Sequence, residues 1–474
     1  MNSHVQLPPV EAAIIDLKAR FGTAALTGES IRDLHARDES HHHGQRPDVV
    51  VYPKTTQEVA DLVAIATRHQ VPVVAFGAGS GLEGGAIPVA GGISVDLSGL
   101  DAIFEIRADD MIARVGAGVR RLDLNTALRD TGLFFPVDPG ANASIGGMVS
   151  TGASGTNAVR FGVMRENVLG LTVVTAGGRI VRTGSLARKS SSGYDLTRLF
   201  VGAEGTLGVV TEVILRLHPI PEARSAHAGF ATLAGAVNAV TDIKRAGLSI
   251  GRVELLDQPL VEVVNRHGEM RLEPLPTLFF EFHGATDDIR SLSGTVGEIV
   301  AANGGTELTW TAPGSETQTL WTTRRDCLAW AKAERQGAHS WPSDVCVPIS
   351  RLADVILETR EDVAGSDIPA YIVGHVGDGN FHCVFMLRDN EEAEVADYAD
   401  RIVMRALAAG GTASGEHGVG LGKRKFLITE HGADAVALMH QLKAALDPLG
   451  IFNPGKILPD PAPSDLINTP GRTD

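Results

Sequence analysis

Two histidines lie on either side of a glycine-rich reversal in Tyr371–Met386, YIVGHVGDGNFHCVFM. Tyr371-Ile372-Val373 and Cys383-Val384-Phe385 read as β-strands, and Gly377-Asp378-Gly379-Asn380 between them carries the chemistry of a tight turn. A four-residue turn pairs Val376 with Phe381 and therefore His375 with His382. Directly opposed residues on one sheet face hold their Cβ atoms about 4.5–5.5 Å apart, close enough for two imidazoles to share a metal ion. The same placement suits a packed, hydrogen-bonded structural pair, and the hairpin alone does not choose between them.

Further along, Ser414-Gly415-Glu416-His417-Gly418-Val419-Gly420 sets an acid beside a base on a segment whose glycines let backbone approach a ligand closely. Adjacent extended residues point to opposite sides, which predicts separate tasks: Glu416 as a third metal ligand and His417 as a general base. His375, His382 and Glu416 then supply three protein ligands and leave an open position, the pattern of a catalytic metal site. A solvated Glu-His loop is the alternative, and the neighbouring hairpin weighs against it.

Positioning these groups requires a framework, and the N-terminal half reads as α+β. Val59–Arg68 has helical periodicity behind a Thr55-Thr56 cap; Val71–Phe76 and Ile93–Leu97 read as strands. Between the strands, Gly79, Gly81 and Gly84 match G-x-G-x-x-G, with Asp101 near the position of a dinucleotide-fold acid. That reading fails because Pro88 and Gly91-Gly92 lead into another strand, with no helix whose N-terminus could face a pyrophosphate. What remains is a run of unshielded backbone N–H groups able to cradle phosphate. Two further small-residue segments, Pro136–Thr156 and Gly202–Thr211, strengthen the case for a large flat dinucleotide held in an extended pose. His218-Pro219-Ile220-Pro221 marks a boundary, followed by a second α+β region with Leu278–Phe282 as strand and Arg351–Val363 as helix. Ala435–Leu446 reads as an amphipathic helix, Phe452–Lys456 as a compact turn, and the tail beyond Pro459 as frayed.

At 474 residues the chain exceeds a single core. A formal net charge of −15 disfavours a sequence-independent grip on nucleic acid or an anionic membrane. Cys327, Cys346 and Cys383 have no paired spacing and read as reduced thiols. With no basic leader and no apolar run of membrane-spanning length, a cytoplasmic protein is expected, peripheral at most to a membrane redox chain. His41-His42-His43 cannot all face one ion and reads as a surface run.

Taken together, FGAGSGLEGG, PVDPGANASIGGMVSTGASGTNAVRFG, SSSGYDLTRLFVGAEGTLGVVTEV, GHVGDGNFH, SGEHGVGLGKRKFL and FNPGKILP resemble, in order, the FAD-linked 2-hydroxyacid dehydrogenases of the vanillyl-alcohol-oxidase-like (PCMH-type) superfamily. The resemblance spans roughly residues 35–460 and is nearest the D-lactate dehydrogenase (cytochrome) and glycolate oxidase flavoprotein-subunit branch. It implies an α+β fold: a PCMH-type FAD-binding domain of two α+β subdomains over 1–220, an α+β cap with an antiparallel sheet over 221–425, and a segment over 426–474 returning to the first domain. By motif match Phe76, Gly77, Ala78, Gly79, Ser80, Gly81, Leu82 and Glu83 hold the pyrophosphate. Pro136, Asp138, Ile145, Gly146, Gly147, Ser150, Thr151, Gly155 and Thr156 line the cofactor, Gly205, Gly208 and Val209 contact its adenine half, and Asn453 approaches the ring. No histidine lies in the pyrophosphate loop, so FAD is expected without a covalent link. The match also gives His375, His382 and Glu416 as ligands of a divalent metal, with zinc, manganese and iron all suited to His₂Glu. It gives His417 as base and Arg324 as the guanidinium clamp for a substrate carboxylate, with Arg325 its competitor.

Two departures bear on the substrate. The lysine that precedes D-x-S-x-P in the 2-hydroxyglutarate branch has no counterpart in Trp341–Pro348, and Val384 replaces an asparagine. A D-2-hydroxy monocarboxylate with an apolar tail, such as D-lactate, is therefore expected, with D-2-hydroxyglutarate or glycolate as alternatives. Non-redox readings are an alkylglycerone-phosphate-synthase-like transferase, a flavin-free metal hydrolase and a non-catalytic subunit. The electron acceptor could be a cytochrome, a quinone or an electron-transferring flavoprotein, and a homodimer is left open.

Overall fold

The computed structural model describes residues 8–460; the first seven residues and the tail from 461 onward lie outside it. The N-terminal half contains two larger sheets, besides the two-stranded pair Leu133–Phe134 with His218–Pro219. In the first, strands Ala25–Leu26, Val49–Val51, Ile93–Asp96 and Val73–Phe76 lie in that order, the last three mutually parallel. The helix Thr56–His69 packs on it through Val59, Leu62, Val63 and Ala66, and Thr55 caps that helix by accepting from the Glu58 amide at 3.1 Å. Residues 77–92 join the parallel strands Val73–Phe76 and Ile93–Asp96 without any helix, as the rejection of the dinucleotide-fold reading required.

The second sheet is antiparallel, with strands Ile103–Arg107, Ile112–Gly116, Val209–Arg216, Val168–Thr175 and Arg179–Gly184 in that order. Its middle strand begins at Val209, inside the small-residue segment Gly202–Thr211, because Val209, Val210 and Thr211 are buried and already paired or bonded in the sheet. The helix Ile145–Thr151 packs beside it, capped by Ser144 on the Gly147 amide.

From Ala223 onward the chain forms an antiparallel sheet whose neighbours run Thr309–Trp310, Ala223–Gly229, Thr277–His283, Arg252–Leu256, Ala370–Gly374, Asn380–Leu387 and His339–Pro342. Strand alternation splits its apolar residues between two cores. Leu255, Leu278, Phe280, Ile372, Cys383 and Phe385 face the helices Leu233–Arg245, Thr286–Ala302, Leu352–Val363 and Glu392–Ala408. Leu256, Phe279, Tyr371, Val373, Val384 and Met386 face Gln258–His267 and Ser315–Glu334. No helix among the described residues is long and apolar enough to cross a membrane.

Candidate active site

On the sheet face covered by the helix Ser315–Glu334, three adjacent strands change character towards one end. Leu256, Val373, Val384 and Met386 are apolar; beyond them on the same face come Glu254, His375 and His382. The hairpin forms, but its register differs from expectation. His382 pairs with Val373, and His375 lies beyond the strand end at Gly374. The reversal is larger than four residues because Val376–Asp378 coils into a turn of 3-10 helix, closed by Gly379 in the left-handed region at φ 82°. His375 and His382 are therefore diagonal neighbours, with ring centroids 5.7 Å apart.

Asp344 sets the Glu416–His417 turn. Completely buried, it accepts from the Glu416 amide at 2.9 Å, the His417 amide at 2.8 Å, Ser414 Oγ at 3.0 Å and Asn380 Nδ2 at 2.9 Å. The segment is bent rather than extended, so the expectation that Glu416 and His417 face opposite sides does not hold. Both side chains line one cavity, Glu416 Oε1 lies 3.2 Å from His375 Nε2 and 3.2 Å from His382 Nε2, and the His417 ring stacks parallel to His382 at 5.0 Å.

This donor set fits a divalent ion. Ligand atoms on a tetrahedral ion with bonds of about 2.0–2.2 Å stand about 3.3–3.6 Å apart, close to the two 3.2 Å separations. His375 Nδ1 donates to Glu254 at 2.7 Å and His382 Nδ1 to the Ser343 carbonyl at 3.0 Å, leaving both Nε2 atoms for a metal. Glu416 Oε2 and His417 Nδ1 are buried without a hydrogen-bond partner among the described residues. Burial disfavours ionised Glu416, but the two histidines outweigh it and hold its carboxyl well below the usual range. Burial also opposes a charged His375, yet Glu254 and Glu416 raise its affinity for positive charge well above the ordinary value. For His417 burial dominates over the opposing charge of Asp344 and pushes the imidazole down to about 4, leaving it neutral at pH 7.

Arg324, on the helix Ser315–Glu334, lines the same cavity, and its side chain is 11% exposed. Its Nε and Nη2 are engaged by Glu254 Oε2 at 2.8 and 2.7 Å. Arg325 is exposed and paired with Asp326. Leu328, Pro342, Val373 and Val384 form an apolar wall, while Lys332 and Arg325, from the helix rather than from Trp341–Pro348, add cations.

The cavity, about 740 Å³, runs from this cluster to the glycine loops. Phe76, Gly77, Ala78, Gly79, Ser80, Gly81, Leu82 and Glu83 line it, as do Asp138, Gly146, Gly147, Ser150, Thr151, Thr156, Gly205 and Gly208. Pro136, Ile145, Gly155, Val209 and Asn453 are not among the lining residues. Gly155 instead packs against Asp138, where a Cβ would collide, and Asn453 Nδ2 ties Gly85 O at 2.9 Å to Glu204 O at 2.7 Å. The loop's own packing demands glycine, since a Cβ on Gly77 would strike Ser144 Oγ and Gly79 holds φ 69° against the Phe76 ring; the backbone left bare along the cavity suits a phosphate-bearing ligand.

Glu83, Glu204 and Lys423 tie the glycine loops to the segment bearing Glu416 and His417. Lys423 Nζ lies 2.9 Å from Glu83 and 3.4 Å from Asp344, and Glu204 accepts from the Val419 and Gly420 amides at 2.7 and 2.9 Å. The histidine run is only partly at the surface: His43 is exposed, but His41 stacks on Trp341 at 3.3 Å, and His42 packs near Gly84 and Gly422. Both are partly shielded because the N-terminal segment reaches the strand His339–Pro342 of the sheet formed from Ala223 onward.

Residues 220–457 match the family described as FAD linked oxidases, C-terminal domain, and residues 47–184 match an FAD binding domain. The chain is 44% identical over 457 residues to a probable mitochondrial D-lactate dehydrogenase of Danio rerio, covering 95% of this chain and 92% of the relative. It is 38% identical to the mitochondrial D-lactate dehydrogenase [cytochrome] of Arabidopsis thaliana, covering 94% and 80%. A glycolate oxidase subunit of Bacillus subtilis is 34% identical, covering 90% and 92%. Among solved structures, p-cresol methylhydroxylase aligns with TM-score 0.79 at 16% identity, covering 96% and 98% of the two chains. An alkyldihydroxyacetonephosphate synthase aligns at 0.74 and 19%, covering 96% and 87%; both likenesses concern the fold.

Proposed function

This chain belongs to the FAD-linked oxidases and is an FAD-dependent oxidoreductase, and from that membership we propose that it oxidises a small D-2-hydroxy monocarboxylate of the D-lactate type to the 2-oxo acid. The observation that carries this reading is the convergence of His375, His382, Glu416, His417 and Arg324 at one end of a cavity whose other end is the glycine cradle. The relatives named D-lactate dehydrogenase support the substrate class.

Bound non-covalently along the cradle, FAD supplies the hydride acceptor; a divalent ion on His375, His382 and Glu416 supplies the charge that favours a developing alkoxide. The rest falls to the chain. Arg324, with Nη1 uncommitted among the described contacts, holds the substrate carboxylate. His417 Nε2, 4.0 Å from Glu416 Oε1, takes the hydroxyl proton. Leu328, Pro342, Val373 and Val384 receive the apolar tail and limit water. Electrons leave to a non-NAD acceptor, with a cytochrome named for the Arabidopsis relative. A cytoplasmic location peripheral to a redox chain, three domains over 1–220, 221–425 and 426–474, and a homodimer belong to the same reading.

Lys332 and Arg325 on the cavity wall favour D-2-hydroxyglutarate as a second reading, because they could meet a second carboxylate. Anaerobic mixing of the yellow protein with D-lactate, L-lactate, glycolate and D-2-hydroxyglutarate separates these. Fast bleaching by D-lactate alone is expected; preferential bleaching by the dicarboxylate selects the second reading. No bleaching by any of them removes the small 2-hydroxy acid as substrate.

A further inference from the structure

Glu254 is a fully buried charge at the site. It sits on the strand Arg252–Leu256, where Leu255 pairs with Gly374 and Leu256 with Val373; one step further along this register sets Glu254 opposite His375. Its side chain is 1% exposed and its two oxygens are divided: Oε1 accepts from His375 Nδ1 at 2.7 Å, Oε2 from Arg324 Nε at 2.8 Å and Nη2 at 2.7 Å. A carboxylate withdrawn from water persists only if its partners replace its hydration, and here those partners are the metal-site histidine and the carboxylate-clamping arginine.

We propose that Glu254 is the positioning residue of this site, fixing His375 as an Nε2 ligand and holding Arg324 at a set distance from it. With Nδ1–H committed to Glu254, His375 presents its Nε2 lone pair to the side where Glu416 and His382 converge. Because one carboxylate holds both groups, the cation and the carboxylate clamp keep one spacing, suited to a 2-hydroxy acid whose hydroxyl and carboxylate are on adjacent carbons. A substrate with its hydroxyl one carbon further away meets the clamp or the cation, not both.

This inference rests on the metal reading above, and its test separates the two. Manganese(II) affinity is measured by electron paramagnetic resonance titration of the FAD-loaded protein, wild type and Glu254→Gln, with D-lactate KM and kcat on the same samples. Asp257→Asn serves as the structural control: Asp257 is buried on the residue following the same strand, bonded to the Leu260 and Ile372 amides, and is outside the cavity lining. Glu254→Gln is expected to bind manganese about 10–100-fold more weakly with FAD occupancy unchanged. Its KM should rise, and that rise should nearly vanish when Arg324→Lys is already present, because both act on the same clamp. Asp257→Asn should lose thermal stability but not manganese. If wild type takes up manganese and Glu254→Gln takes it up equally well, the proposal is overturned while the metal reading stands. If wild type takes up none, the metal reading falls and Glu254 with it. Should Glu254→Gln fail to retain FAD, Glu254→Asp keeps the charge on a shorter arm that cannot span both partners; wild-type manganese affinity and KM in that variant would equally overturn the proposal.

Discussion

Replacing Lys423 with methionine tests how the two halves of the site are held together. Lys423 is 8% exposed, 2.9 Å from Glu83 in the glycine loop and 3.4 Å from the fully buried Asp344 that sets the Glu416–His417 turn. Breaking a buried pair by removing one partner costs about 3–5 kcal/mol, because a desolvated charge is left behind. The cost should fall mainly on Glu83. Asp344 keeps four other donors, whereas Lys423 is the only side-chain partner among the described contacts of Glu83. Burial already pushes Glu83 up to about 7 against the pull of Lys423, and without Lys423 its pKa must rise further. A carboxyl whose folded pKa is raised stabilises below its unfolded value, and that contribution is lost as pH climbs through the folded one. Lys423→Met should therefore differ least from wild type near pH 5 and most near pH 8, where protonating Glu83 against a folded pKa of about 7 limits the added loss in the transition that releases FAD to about 1–2 kcal/mol. Urea unfolding followed by flavin fluorescence at both values measures this. A loss that is the same at both pH values would refute the buried link, and so would a larger loss at pH 5.

Other outcomes follow from the same geometry. His417→Gln should keep FAD and metal but slow flavin reduction by about 10²–10⁴-fold, measured in a single anaerobic turnover; a near-normal rate removes His417 from proton transfer. Arg324→Lys should raise the KM for D-lactate by about 10–100-fold with a smaller change in kcat, since an ammonium cannot reproduce the fork that serves Glu254 and substrate together. Burial raises Glu204 from its ordinary 4.5 to about 7, so its contribution to stability falls as pH rises through that window. Glu204→Gln should flatten the dependence of melting temperature on pH between those limits, and an unchanged slope would assign it to other groups.

The residues singled out from the sequence converge on one cavity, but not in the geometry expected of them. The strands around His375 and His382 were legible from alternation, but the register was not. Turn chemistry at Gly377–Asn380 suggests a four-residue reversal, whereas Val376 and Gly377 pack inside and draw the chain into a 3-10 turn. Opposite-facing Glu416 and His417 followed from extended geometry that Asp344 overrides by accepting both amides. Glu254 went unseen because Arg-Val-Glu-Leu-Leu reads as an ordinary alternating strand, and its partners are 70 and 121 positions away. Lys423 and Glu83 are equally invisible to local pattern, since their pairing exists only once the two halves close. The glycine loops were the most legible part, because bare backbone between two strands with no helix leaves few uses for it.

In the proposed reaction a cation held by His375, His382 and Glu416 works on substrate beside the bound flavin. The most direct test of this is D-lactate reduction of the flavin in anaerobic stopped flow, on protein as purified, after chelation to metal-free by elemental analysis, and after zinc or manganese is returned. Chelated protein should stay yellow, lose at least about 10²-fold in reduction rate, and recover when the ion is restored. Metal-free protein that D-lactate bleaches at the original rate would contradict it.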